Sequence, residues 1–202
     1  MWGLVQDGSI TKIINKPRGM VIGDVRYSRK IFELWSKAEL EAKGIYEVEF
    51  DNSNKKDEQW YINTNQSFAF AGGKITASYG SATAKAHADT LFTAQDEIDG
   101  KGTEGEVKTR GLKYNLIKAI KKQAAGILQN TDWYITRKAD AGTAVPSAIT
   151  NHRAAVRTKA AEMETAITNA ADTPALETLY TYTTNDAGVT SRPLGEFPIL
   201  EN

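Results

Sequence analysis

The sequence predicts an α+β chain: a small β-rich N-terminal domain with one short helix, then an antiparallel helical hairpin and an extended C-terminal tail. Three observations predict it. Short apolar runs, some of them alternating, are separated by glycine turns as far as Gly80. The composition then turns Ala- and Thr-rich, and beyond that two segments repeat apolar residues at helical steps. The expected boundaries are 1–80 for the β-rich domain, 81–106 for an Ala/Thr-rich segment and linker, 107–170 for the helical hairpin and 171–202 for the tail.

In the first domain, Leu4-Val5 and Ile10–Ile14 flank Asp7-Gly8, a dipeptide suited to the positive-φ turn of a tight hairpin. The run Met20–Val25 is expected to pair onto that hairpin. One short helix is punctuated at both ends: Ser36 as N-cap, Glu39 completing a capping box, and Gly44 as the stop. Ile45–Phe50 alternates as a strand with Glu47 and Glu49 on one face. Asp51–Glu58 is a polar loop. Trp60–Ile62 follows, and Phe68–Phe70 and Lys74–Tyr79 form a second hairpin around Gly72-Gly73.

Residues 81–95 read as helical, and Asp96–Glu106 reads as a charged, glycine-punctuated linker and the sharpest boundary in the chain. Leu112, Leu116, Ile120, Ala124, Ile127 and Leu128 recur at three- and four-residue steps and mark an amphipathic helix. Asn130–Ala144 is a turn region. Pro146 fits the first turn of a second helix. Ile149, Val156 and Met163 lie seven apart, as do Ala160 and Ile167, giving a narrow apolar seam suited to one neighbouring helix. The hairpin therefore pairs about 107–129 with 146–170. Asn169–Thr173 and Pro174 end it, a short segment Ala175–Tyr182 follows, and the tail runs to Asn202.

Composition excludes several chemistries. Of 202 residues, 41% are hydrophobic, 25% are charged and none is cysteine. Disulfide frameworks, thiolate zinc sites and cysteine nucleophiles are therefore ruled out. The two histidines, His87 and His152, have no partner in a metal-ligand pattern. The opening residues lack a basic region followed by an apolar run. No apolar stretch approaches the roughly 20 residues that a membrane span needs. Gly100–Gly105 is a literal G-x-G-x-x-G. Acids precede it instead of a buried strand, so the reading is a linker and no cofactor is expected. Glu47 and Glu49 read as a solvated outer face.

The formal net charge is zero, but it is unevenly distributed. Residues 107–160 hold eleven Lys/Arg and two acids, whereas residues 161–202 hold one base and seven acids. Lys108, Arg110, Lys113, Lys118, Lys121 and Lys122 could neutralise phosphates, with Tyr114 or Trp133 stacking on bases. Because the cations scatter around the helix, contact with an acidic protein surface is the preferred reading. In Asn130–Tyr134, Thr131 or Asp132 can cap a helical turn, and Trp133 and Tyr134 offer area to bury. Arg153 and Arg157 lie one turn apart on the facing helix. An arginine stacked on Trp133 or paired with Asp132 would lock the corner of the hairpin.

The same stretch, Leu128–Tyr134 followed by Arg137, Gly142, Pro146, Arg153 and Arg157, resembles a C-terminal module of tailed-bacteriophage tail and tail-fibre-assembly proteins. The segment from Ile31 through Tyr46 is similar to the opening domain of small phage structural proteins that carry this module. The resemblance implies a non-enzymatic virion component of the tail, baseplate or tail-fibre attachment region. It would occur in many copies, form in the host cytoplasm and contact other tail or fibre proteins, with no membrane involved. Trp133, Tyr134, Asp132, Arg153 and Arg157 are the expected scaffold anchors; Lys113, Lys118, Lys121 and Lys122 are the expected contacts. Two alternatives stay open: a tail-fibre assembly chaperone absent from the mature particle, and a nucleic-acid-binding accessory protein.

Overall fold

A computed structural model describes residues 1–200. The chain is α+β and divides into two compact units, Met1–Thr83 and the remainder from Ala84 onward.

The first unit opens with β1 (Trp2–Gln6) and β2 (Ser9–Ile14), then β3 (Met20–Ile22), β4 (Val25–Tyr27), α1 (Ile31–Leu34) and α2 (Lys37–Glu41). β5 (Ile45–Asp51), β6 (Tyr61–Ile62), β7 (Ser67–Ala71) and β8 (Lys74–Ser78) follow. Five strands form one sheet in the order β2-β1-β5-β8-β7; β5 and β8 run parallel, the other neighbours antiparallel. Asp7 and Gly8 both take positive φ, the geometry of a two-residue hairpin turn whose twist matches its strands. Strand alternation then separates two apolar layers. Leu4, Ile14 and Ile45 pack with Met20, Ile31 and Leu40 on one face. Val5, Val48, Ile75 and Ala77 pack with Tyr46, Phe68 and Phe70 on the other.

Ser36 and Glu39 close the expected capping box reciprocally. Gly44 ends the helical stretch at φ 75°, and a Cβ there would collide with the Val5 carbonyl oxygen. Any other residue would be both strained and blocked. Met20–Val25 departs from expectation: β3 pairs with β4 in its own hairpin (Met20 opposite Tyr27) and not with β1–β2. Gly23 supplies the turn that folds the run back on itself.

The second unit contains β9 (Thr83–Ala84, straddling the boundary), β10 (Thr90–Leu91), α3 (Ala94–Ile98) and β11 (Val107–Thr109). The long helices are α4 (Leu112–Gln129), α5 (Asp132–Ala141) and α6 (Ser147–Asn169). α7 (Thr173–Tyr180), β12 (Thr183–Thr184) and β13 (Thr190–Ser191) complete it. Two expectations are corrected here. Residues 81–95 are mostly extended instead of helical, because they carry no 3.6-residue apolar stripe and Leu91 finds a ladder partner in Val107. The expected linker, Asp96–Glu106, is folded into this unit. Thr93 and Asp96 form a capping box on α3, and the Lys108 ammonium donates to Asp96 at 2.8 Å.

α4 and α6 are antiparallel, as contacts at Lys113–Thr168, Lys121–Glu164 and Leu128–Arg153 show. Ile120 and Ala124 of α4 are buried. From α6, Ile149, Val156, Ala160, Met163 and Ile167 are buried, the heptad seam read from sequence. The helix of this hairpin begins at Leu112, not 107, since 107–109 is strand. The turn region Asn130–Ala144 is corrected to a ten-residue helix, α5, closed by Gly142 in the left-handed conformation. Pro174 lies in the first turn of α7, where Asp172 caps the Ala175 N–H. The tail is held by buried Leu194, whose N–H donates to the Leu179 carbonyl.

Candidate docking surface

α4 ends at Gln129, so its last carbonyls lack partners within the helix. Three donors converge on Leu128: the Thr131 N–H, the Thr131 hydroxyl and the Arg153 guanidinium, the last at 2.7 Å. Arg153 reaches across from α6 and is only 7% exposed. It also donates to the Thr131 hydroxyl oxygen at 2.7 Å and to Asp132 at 2.8 Å. The planar fork thus serves a backbone carbonyl, a hydroxyl and a carboxylate at once from two nitrogens of fixed geometry. Of the two pairings expected for the corner, the one with Asp132 is formed.

The stacking partner differs from expectation. Trp133 and Tyr134 have ring centroids 4.0 Å apart. The cation over them is Arg137, from the same helix, at 4.5 Å from the Trp133 centroid and 5.5 Å from Tyr134. Residues i and i+4 share a helix face, so Arg137 reaches Trp133 without any help from α6. Arg157 is exposed, and its guanidinium donates to the Arg153 carbonyl. Of the expected anchors, Trp133 and Tyr134 form the aromatic cluster and Asp132 and Arg153 the clasp on Leu128, while Arg157 is placed in neither. Sequence reasoning left Arg137 without a task because α5 had been read as a turn; the W-x-x-x-R spacing was the signal available.

The α4 cations divide by face. Lys113 donates to the Thr168 carbonyl at 2.8 Å, and Lys121 pairs with Glu164 at 3.3 Å. Both are spent on the contact with α6. Arg110 lies 4.2 Å from the Tyr114 ring centroid and pairs with Asp89, which also caps α4 by accepting from the Gly111 N–H. That N–H, and then Arg110, hold the Asp89 carboxyl below its ordinary range. Asp96, bonded to Lys108 and to the Thr93 N–H, is pulled down to about 2. Lys118 and Lys122 are exposed, one turn apart, and pair with no acid among the described residues. So the scatter of cations seen in the sequence resolves into an inward set and an outward pair.

The remaining motifs have local partners. In Gly100–Gly105, the Glu104 N–H donates to the Glu97 carboxylate, and a Cβ on Gly102 would strike the Phe92 ring. The loop is thus filled by its own side chains. Glu49 pairs with Lys74 at 2.8 Å. Among the described residues, no group of three or more His, Asp or Glu is assembled that could hold a metal ion. No helix among them is long and apolar enough to cross a membrane. Compared with known protein families, with curated proteins and with solved structures, the chain matches none.

Proposed function

We propose that this chain is a non-enzymatic structural component of a tailed-bacteriophage tail, baseplate or tail-fibre attachment region, working by docking onto other tail proteins. The observation that carries this reading is the division of labour within the resembling module. Leu128, Thr131, Asp132 and Arg153 are consumed in fixing the corner, while Trp133 is left half-exposed beside Arg137; on α4, outside the module, Lys118 and Lys122 are exposed. Protein–protein contacts draw much of their energy from a few tryptophan, tyrosine and arginine side chains on rigid supports. Surrounding charge sets partner choice and encounter rate. The corner supplies the first and the outward lysines the second.

Quantitative mass spectrometry of purified particles of the encoding phage tests the reading. The chain should appear in the particle at a fixed, multi-copy ratio to the other tail proteins. Its presence in infected-cell tail intermediates but not in finished particles would replace the structural role with that of an assembly chaperone. Binding to DNA with a steep salt dependence, abolished by charge reversal at Lys121 and Lys122, would replace both.

A further inference from the structure

Helix α5 has no buried residue, yet it contains Trp133, Tyr134 and Ile135, with Trp133 51% exposed. Burial within this unit does not account for that composition. At its centre the Arg137 guanidinium lies over two aromatic rings and finds no acceptor among the described residues; its Nε is shielded from solvent and unpaired. The terminal nitrogens are neither shielded nor paired among the described residues, and they are the part of the guanidinium open to a partner.

We infer that this corner is a receptor for an acidic segment of another protein, one that carries a carboxylate beside an apolar side chain. This inference rests on the docking role proposed above and specifies its partner. A guanidinium laid flat on aromatic rings is partly dehydrated and oriented, and its terminal N–H groups form a fork matched to a carboxylate. The half-exposed indole beside it offers an apolar surface to a neighbouring aliphatic side chain. The local charge has the complementary sign. Arg137, Lys138 and Arg157 border the corner, whereas Asp132 is engaged by Arg153 and only Asp140 is left as a free acid on α5.

A second occupant fits less well. A second copy would have to bring free carboxylates from its acidic C-terminal stretch. There, Glu162, Glu164 and Glu196 are paired with Lys159, Lys121 and Arg192, and Asp172 caps α7, which leaves exposed Asp186 as the carboxylate of the described stretch that such a copy could present.

Fluorine NMR of the full chain labelled with 5-fluorotryptophan tests the inference, since its four tryptophans give separate reporters. Three probes are added in turn: a synthetic peptide alternating Glu and Leu, its Lys/Leu counterpart, and an oligothymidylate. The Glu/Leu peptide should shift the Trp133 resonance saturably and leave Trp2, Trp35 and Trp60 in place, while the other two probes leave all four unmoved. Arg137→Gln should weaken binding about tenfold, the order of one charge-assisted hydrogen bond. Arg137→Lys, which keeps the charge and the fold but loses the fork, should weaken it similarly. The double change Lys16→Gln and Arg18→Gln, in the first unit, should leave binding unchanged. The inference is overturned if the Trp133 resonance stays still, if the Lys16/Arg18 change costs as much as Arg137→Gln, or if oligothymidylate acts in place of the peptide. A concentration-dependent Trp133 shift without any probe would overturn it in favour of self-association. Failure of the peptide arm with the chain present in particles removes this inference alone. Absence from particles removes the tail reading and leaves the peptide result standing.

Discussion

Arg153 ties the Leu128 carbonyl, the Thr131 hydroxyl and the Asp132 carboxylate together from the facing helix. Arg153→Ala should cost about 2 kcal/mol in urea denaturation, the scale of lost hydrogen bonds from a charged donor. Asp132→Ala, which removes a well-exposed carboxylate, should cost less than about 1 kcal/mol. Equal losses would show that the ion pair, and not the bonds to Leu128 and Thr131, dominates. Asp96 sets a second expectation. Its carboxyl sits at about 2 against an ordinary 3.8, so its stabilising contribution is complete above that ordinary value and disappears as pH falls through about 2. Thermal melts between pH 5 and 2 should therefore show a shallower acid decline in Asp96→Asn than in the parent. The Asp132–Arg153 pair was legible in the sequence, since a capping dipeptide at a helix end faced arginines one turn apart. The carbonyl of Leu128 was not, because every residue has a carbonyl and only the fold says which one is left without a partner.

At the scale of elements, α6 was legible and α5 was not, for related reasons. The heptad spacing of Ile149, Val156 and Met163 writes a burial pattern directly into the chain, and all three are buried. α5 buries nothing, so it has no apolar stripe to announce it. The same reasoning reversed explains 81–95, where alanine suggested a helix but no periodic face existed to be buried. Met163→Ala should lower stability by about 3 kcal/mol through lost contacts and a residual cavity. Thr165→Ala, on the outward face of the same helix, should stay within about 0.5 kcal/mol. A comparable loss at both positions would mean that the outward face is covered by something in solution.

For the whole molecule, each unit buries apolar residues of its own, Ile75 in the first and Met163 in the second, and their disruption should be separable. In scanning calorimetry, Ile75→Ala is expected to lower the unfolding of the first unit and Met163→Ala that of the second, each leaving the other transition in place. Coincident shifts would mean that the units unfold as one. The zero net charge is a sum that conceals its parts: Lys121, Lys159 and Arg192 are answered by nearby acids, whereas Lys118 and Lys122 are not. The charge blocks were legible along the chain, but this settlement, which depends on helix rotation, was not. The β-rich domain expected to end at residue 80 meets the division after Thr83 within three residues, whereas the sharper boundary expected at 96–106 falls inside the second unit. Glycine and charge clustered at 96–106 looked like punctuation, although those residues cap α3 and lead into β11.

The clasp on Leu128 comes from a residue 25 positions later in the chain. During synthesis α4 can coil as soon as it emerges, but the direction in which α5 departs is decided only once the stretch bearing Arg153 has left the ribosome and folded back. The corner is thus tied across the chain from a later segment, while α6 beyond Arg153 and α7 are still to follow.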